Sequence, residues 1–323
     1  NVTRSVRAPA IQELFLPLSG TGSFAADPCD ATLVDSGPNP AARLANCTSG
    51  GGALPPIDTT TFVSSVRNAS VQGTTGGNTA LANETADAWT VGVIFRPSFL
   101  DGLQLSIDYI DFDITEAITQ FTLTQVMNAC YDATTFPNQF CGQFTRQPDG
   151  QLPPNNAFEV GFVNAGQRTY KAYVSELLYG FDALGGTWDL FGSLQHITQS
   201  DRTLLGTLTD FAGEINNGAP EWQANVRVRY SRDRWSAFLQ PRFIGEGIWD
   251  NDAAPDRYTI PGEDNVFIFN AGFNYEFTDS ISAQLNINNL TDELPSPHVI
   301  ATGNDGFYDN IGRFYRLSLQ ISL

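Results

Sequence analysis

Polar and apolar residues alternate with a period of two over long stretches of the chain. In the closing segment FYRLSLQISL the apolar residues are Tyr315, Leu317, Leu319, Ile321 and Leu323, and Arg316, Ser318, Gln320 and Ser322 stand between them. That spacing predicts a β-strand with two unlike faces. The same alternation runs through Trp222, Ala224, Val226, Val228 and Tyr230, turns at SRDR, and resumes at Trp235, Ala237, Leu239, Pro241 and Phe243. Gln223, Asn225, Arg227 and Arg229 face the other way. A second hairpin joins Phe267–Phe277 through TDS to Ile281–Ile287, and a third joins Trp89–Phe95 through RPSFLDG to Leu103–Tyr109. A fourth, less regular, runs from Tyr170 to Phe181, turns near DALGG and returns from Trp188. With Asn1–Arg7 counted as the end of a further strand, about ten strands are expected.

The connections are unequal. Turns within hairpins are short, whereas the segments 114–158, 198–220, 245–265 and 290–307 between hairpins are long and rich in Gly, Pro, Asn and Asp. Short and long ends therefore alternate. A transmembrane β-barrel has this asymmetry, with tight periplasmic turns and long outer loops; its strands cross in about 9 to 11 residues with one face to lipid and one to a wet lumen. Phe95, Tyr230, Trp235, Tyr275 and Phe277 lie on the apolar face beside short turns, where an interfacial aromatic girdle belongs.

Composition fits a β-rich, turn-rich chain. Of 323 residues, 29 are Gly, 18 Pro and only 1 Met, aromatics make up 12% and charged residues 16%, so little helix is expected. Lys and Arg total 17 against 35 Asp and Glu, a formal charge of -18, which excludes a phosphate-neutralising surface and hence nucleic acid as a partner. No apolar run reaches the roughly 18 residues of a spanning helix. The opening NVTRSVRAPA reads as the middle of an element, and an export signal is expected upstream.

The 4 cysteines form two local sets, Cys29 with Cys47 and Cys130 with Cys141, each in a segment that reads as loop. Four cysteines allow three connectivities. Local pairing, Cys29–Cys47 and Cys130–Cys141, costs least chain entropy and is the expected one. No Cys-x-x-Cys occurs and the two histidines, His196 and His298, are distant from both sets, so no metal site, no cofactor and no catalytic constellation is expected.

Four blocks carry a family resemblance. RSVRAPAIQELF contains Arg7, Ala8, Pro9, Glu13, Leu14 and Phe15 in the pattern Arg-Ala-Pro…Glu-Leu-Phe; GNTALANETADAWTVGVIFRP is similar to a Gly-Asn-Pro-x-Leu-x-Pro-Glu-Thr block, with Thr79 and Asn83 in place of the prolines. NINNLTDELP resembles an Asn-Asn-Leu-Phe-Asp block with Thr291 at the aromatic position, and GRFYRLSLQISL a closing strand in which Leu323 stands where the last residue is usually aromatic. These blocks, in this order, resemble the TonB-dependent outer-membrane receptors. The resemblance implies an all-β antiparallel barrel of 22 strands plugged by an N-terminal domain, of which residues 1–323 would be the C-terminal part, with the plug and first strands absent. It implies energy-coupled uptake of a scarce bulky ligand such as a ferric siderophore, a cobalamin or an oligosaccharide. The implied partners are the TonB energising complex through the plug, the barrel assembly machinery and outer-membrane lipid. A passive porin-like channel and a surface glycan-binding β-protein are the competing readings.

Candidate ligand contacts are Arg227, Arg229, Arg242 and Arg316, with Glu276, on the polar face, and Trp249 and Tyr258 in the segment GEGIWDNDAAPDRYTIPGEDN. That segment carries Glu246, Asp250, Asp252, Asp256, Glu263 and Asp264 against Arg257, without the spacing of an EF-hand loop, and reads as a solvated acidic loop. Loop-length asymmetry makes a topological prediction. In the full-length protein on intact cells, an impermeant thiol reagent should label Asp252→Cys and leave Asp233→Cys unlabelled; the reverse pattern would invert the orientation.

Overall fold

A computed structural model describes residues 1–216, 218–251, 258–302 and 306–322; Asp252, Asp256 and Arg257 of the acidic segment, and Leu323, lie outside the described residues. Ten principal strands run in chain order: β1 (Val2–Arg7), β2 (Glu84–Phe95), β3 (Leu103–Gln120), β4 (Glu159–Ala183), β5 (Gly186–Leu204), β6 (Trp222–Arg232), β7 (Trp235–Ile244), β8 (Val266–Thr278), β9 (Ile281–Asn288) and β10 (Phe314–Ile321). Each neighbours the next in the sheet, an up-and-down meander whose order begins at β1 and ends at β10. Half of the chain is strand and 11% helix. The chain divides into two compact units, one of Asn1–Ser5, Ala86–Ile114 and Gln167–Leu323, the other of Val6–Thr85 and Thr115–Gly166.

In the first unit the hairpin turns are as short as the pattern requires. Leu184 and Gly185 (φ 56° and 77°) link β4 to β5, Asp233 (φ 49°) and Arg234 link β6 to β7, and Asp279 and Ser280 link β8 to β9. Positive φ at the first two positions matches the right-handed twist of the strands they join.

The apolar face carries two aromatic rows. Near the short turns, Tyr179, Phe181, Trp188, Tyr230, Trp235 and Phe273 stack in sequence across β4 to β8 with centroid separations of 4.8, 6.2, 4.8, 5.2 and 6.0 Å. The second row, which the sequence reading did not anticipate, contains Trp89, Tyr109 and Tyr173 (5.1 and 4.9 Å), His196 on Trp222 (3.8 Å, interplanar 10°) and Phe243 on Phe267 (4.9 Å). On β4, β5, β6, β7 and β8 the two rows are eight residues apart: Tyr173 and Phe181, Trp188 and His196, Trp222 and Tyr230, Trp235 and Phe243, Phe267 and Tyr275. Eight residues span about 27 Å of strand. At the roughly 40° tilt of barrel strands that is a height of about 20 Å, close to the apolar band of an outer-membrane barrel. Leu194, Val226 and Leu239 fill the space between the rows and are exposed on that face.

The face changes character one step past the second row. Beyond Trp89 comes Asp87, paired with Arg4 at 3.4 Å; beyond Tyr109 and Tyr173 come Asp111 and Lys171, paired at 3.5 Å, then Asp113, which accepts a hydrogen bond from Thr169 at 2.8 Å. A lipid-facing stripe that ends in ion pairs marks where hydrocarbon gives way to water. It also explains why β4 and β5 run to 25 and 19 residues, far past a membrane crossing. The segment 198–220, expected to be loop, begins as strand: β5 continues to Leu204, turns at Leu205 and Gly206 (φ 54° and 79°), and Thr207–Asp210 pairs back onto Asp201–Leu204. Phe238, an aromatic on the polar face, lies over Gly272, where an added Cβ would meet its ring at 2.1 Å.

The second unit is built from the two long segments containing the cysteines, and it corrects their reading as loops. Cys47 lies in a helix, Pro40–Ser49, Cys130 in another, Leu123–Tyr131, and Cys141 in a 3-10 turn, Gln139–Gly142. The start signals were in the sequence. Asn39 caps the first helix before Pro40, and Thr122 and Gln125 exchange side-chain to backbone bonds of 3.2 and 3.0 Å at the start of the second. The disulfides are Cys29–Cys47 and Cys130–Cys141 as expected, closing 18 and 11 residues, worth on the order of 3 kcal/mol each by loop-closure entropy.

At the centre of this unit the fully buried Arg146 donates to both oxygens of Asp27 (2.9 and 2.7 Å), to the Tyr131 hydroxyl (2.9 Å) and to the Gly150 carbonyl (2.6 Å). Rings of Phe62, Tyr131 and Phe144 surround its guanidinium at 6.0, 5.3 and 5.7 Å. Asp27 also accepts from Ser64 Oγ and the Cys29 N–H. Every strong donor and acceptor of the pair is thus matched, the condition under which a buried ion pair is tolerated.

The same unit brings two of the sequence blocks together. Arg7 pairs with Glu84 and makes a fork to Glu13 (3.1 and 3.1 Å), Glu84 accepts the Ile118 N–H at 2.6 Å, and the Gly77 and Asn78 N–H groups donate to the carbonyls of Leu16 and Glu13. In the first unit Asn289 (φ 52°, fully buried) exchanges side-chain bonds with the Glu293 backbone, and Asp292 accepts the Arg313 N–H at 2.7 Å, joining the other two blocks. These motif residues are architecture.

Two substitutions test this fold. Leu239 lies four positions from each aromatic row, so Leu239→Arg should cost about 2–4 kcal/mol in urea titrations of the full-length protein folded into lipid vesicles, while Gln240→Arg on the opposite face should cost little. Arg146→Met should cost about 3–5 kcal/mol by stranding the Asp27 charge, read as lost hydrogen-exchange protection in 122–146, and adding Asp27→Asn should recover part of it.

Candidate ligand site

The residues nominated from sequence are dispersed. Arg227 and Arg229 on β6 face Phe191 and Asp189 of β5; Arg242 on β7 lies between Asn225 and Ile268; Arg316 on β10 faces Asn286 of β9. Arg229 contacts Ser236 Oγ at 3.5 Å, and Glu276 is opposite Ser282. The alternation places all four arginines on the polar face, and among the described residues none of them lines the cavities of about 470 and 940 Å³ in the first unit. Trp249 is fully buried in a cluster with Ile215, Ile244, Val266, Ile268, Val299 and Tyr308, its indole N–H donating to the Ile260 carbonyl and its ring 4.4 Å from His298. In this arrangement its face is filled by protein, so the stacking surface expected of it is not presented. Tyr258 packs against the same cluster.

The structure assembles a different set. A cavity of about 470 Å³ in the first unit is bounded by Phe112 and Ile114 of β3, Arg168, Thr169 and Tyr170 of β4, Ser200, Asp201 and Arg202 of β5, and Phe211, so two cations share its wall with one carboxylate. Its residues lie past the Tyr109–Tyr173 row, on the strand extensions. Arg202 stacks on Phe211 at 5.0 Å, and its Nε is buried without a hydrogen-bond partner. Tyr170 accepts from Gln195 Nε2 at 2.8 Å. Two guanidinium groups among three aromatic rings suit an anion that also offers flat π surface, since a guanidinium forks onto oxygen pairs and stacks on rings. Arg168 and Arg202 escaped sequence reading because their segments looked like loop ends. Residues 198–203 (Thr-Gln-Ser-Asp-Arg-Thr) are polar throughout, so no alternation announced that β5 continues there.

A family model described as TonB dependent receptor-like, beta-barrel, matches residues 1–290. No curated protein sequence matches the chain. Among solved structures, the siderophore receptor PirA from Acinetobacter baumannii superposes with a TM-score of 0.57 at 14% identity, covering 100% of this chain and 38% of the receptor. The ferric enterobactin receptor PfeA from Pseudomonas aeruginosa, as the double mutant R480A_Q482A, gives 0.59 at 14% identity over 100% of this chain and 37% of that one. The R480A mutant in complex with enterobactin gives 0.57 at 17%, again over 100% and 38%. The chain thus spans well under half the length of these relatives, and at such identities the likeness concerns the fold. Matched over residues 1–290, with an antiparallel meander bearing a lipid-facing stripe between two aromatic rows, the chain belongs to the TonB-dependent receptor β-barrel family of the Gram-negative outer membrane.

Proposed function

We propose that the protein containing this chain is a TonB-energised outer-membrane transporter whose ligand is a bulky anion with aromatic character, of the ferric siderophore class. The observation that carries the ligand class is the cavity holding Arg168 and Arg202 among Phe112, Tyr170 and Phe211. A neutral oligosaccharide has no comparable use for two guanidinium groups, one of them with a buried donor unmatched. Family membership supports the transport mode, in which a plug fills the lumen and the TonB complex supplies the work of opening it. The barrel assembly machinery would insert the strands, and the apolar stripe would meet lipid. Arg227, Arg229, Arg242 and Arg316 would hydrate the lumen wall and contact the plug or the passing ligand. The neighbouring siderophore receptors agree with this reading.

The test is uptake by cells making the full-length protein. Iron-labelled tris-catecholate complex should accumulate, cobalamin and maltohexaose should not, and a protonophore should abolish accumulation. Arg202→Gln should lower apparent affinity about tenfold, the worth of a charge-assisted contact. Protonophore-insensitive uptake would favour an open channel. Uptake of cobalamin or maltohexaose in place of the tris-catecholate would overturn the ligand class.

A further inference from the structure

Sorting the cations by their partners also sorts them by position. Of the 17 Lys and Arg side chains, nine are in ion pairs with Asp or Glu. These pairs fall in the second unit, at the outer rim of the lipid face, and at turns and strand ends. Arg257 lies outside the described residues, and the seven cations that remain make no ion pair among the described residues, although the chain carries 35 Asp and Glu. Two of them, Arg168 and Arg202, line the arginine cavity. The other five, Arg96, Arg227, Arg229, Arg242 and Arg316, all hold lumen-side positions of the alternation.

Strand register joins the members on β6, β7 and β10. Arg242 is opposite Asn225, Arg227 is the next lumen position along β6 and Arg229 the one after, so one hairpin carries three guanidinium groups at steps of about 7 Å. Arg242 is next to Phe243 of the second aromatic row and Arg229 next to Tyr230 of the first, so the steps lead from the outer interface towards the short turns. Arg229 also begins a row that runs through Phe238, Gly272 and Asn286 to Arg316. Asp189 is opposite Arg229 across the β5–β6 pair, but the guanidinium contacts Ser236 Oγ at 3.5 Å instead. Among the described lumen-side positions of β6 to β10 the only carboxylate is Glu276, beside the short turn to β9.

Hydration alone can satisfy an exposed arginine, but it does not account for the sorting. In a chain of formal charge -18, cations are paired everywhere except on this wall and in the cavity. Like charges on neighbouring strand positions repel, and a wall of one sign concentrates counter-charge along itself. On β3 and β4 the lipid row holds the odd positions Tyr109 and Tyr173, so the cavity's Phe112, Arg168 and Tyr170 belong to the same lumen side as the arginine wall. We infer that Arg242, Arg227 and Arg229, with Arg316 level with the last, form a track that carries the anionic ligand from the arginine cavity along the β6–β10 wall of the lumen. This role rests on the transport reading above and fixes the side of the lumen that the ligand follows. Were the arginines instead anchors for carboxylates of the plug, their loss would loosen the plug and open a leak.

Cells making the full-length protein test the track by separating binding from passage. Protonophore-treated cells report binding of the iron-labelled tris-catecholate complex, and energised cells report its uptake. The triple variant Arg227→Gln, Arg229→Gln, Arg242→Gln should bind the complex as the unaltered protein does and take it up about tenfold more slowly, and Lys at the same three positions should recover most of the rate. An unaltered rate in the folded Gln variant, an equal loss of binding and uptake, or no recovery with Lys would each overturn the track. So would a steady conductance of the Gln variant in planar bilayers, the sign of a loosened plug. Should the triple variant fail to fold, unchanged uptake in both Arg227→Gln and Arg229→Gln would do the same. No uptake of the complex by the unaltered protein would overturn the ligand class together with the track, whereas normal uptake by the triple variant counts against the track alone.

Discussion

Backbone hydrogen bonding in hydrocarbon is the constraint on which the rest depends. Lipid offers no partner for an N–H or a carbonyl, so a spanning strand must be paired along both edges, and the meander from β1 to β10 gives β2 to β9 a neighbour on each side. Once the backbone is committed to a sheet, side chains must alternate between two solvents. The apolar set on β7, for example, goes to lipid, and Ser236, Gln240 and Arg242 go to the lumen side. Phe238 breaks the alternation, and Gly272 makes room for its ring.

Where the solvent changes, the chain changes with it. The two aromatic rows, eight positions apart on five successive strands, place amphipathic rings at both interfaces, and His196 keeps the row by stacking its imidazole on Trp222. Beyond the second row the ion pairs Arg4–Asp87 and Lys171–Asp111 are affordable because water is again at hand. The long strands β4 and β5 continue past that boundary, and the arginine cavity is built on those extensions. Binding groups held on strands keep their geometry better than groups on free loops.

The second unit solves a different problem, that of giving long connections a fixed form. Two segments without a regular hydrophobic period are ordered by short-range disulfides, by capped helices and by the ion pair of Asp27 with Arg146, which draws residues far apart in sequence into one core. Arg7 with Glu13 and Glu84, and Asn289 and Asp292 with Glu293 and Arg313, fix the ends of strands in the same way. The most recognisable sequence blocks therefore serve the architecture, and the groups best placed for ligands lie outside them.

By itself the sequence determined most strands, their two faces, the short turns and the Tyr230 and Trp235 members of the first aromatic row, and it favoured the local pairing of the cysteines. Each of these is a local matter: alternation, turn residues and loop closure act over a few positions, and the order of the meander follows because neighbouring strands pair. The helices holding Cys47 and Cys130 were legible only at their caps, Asn39–Pro40 and Thr122 with Gln125. Tertiary structure alone decided the sites. Trp249, a plausible stacking residue in a loop, became core because Val266, Ile268 and Val299 closed around it. Arg168 and Arg202, 34 positions apart, share a cavity because β4 and β5 pair far beyond the membrane. The carboxylate of Glu263 accepts the Ser296 N–H from a separate loop. Periodicity reports which way a side chain faces, but not which distant side chains face it, and sites are made of the latter.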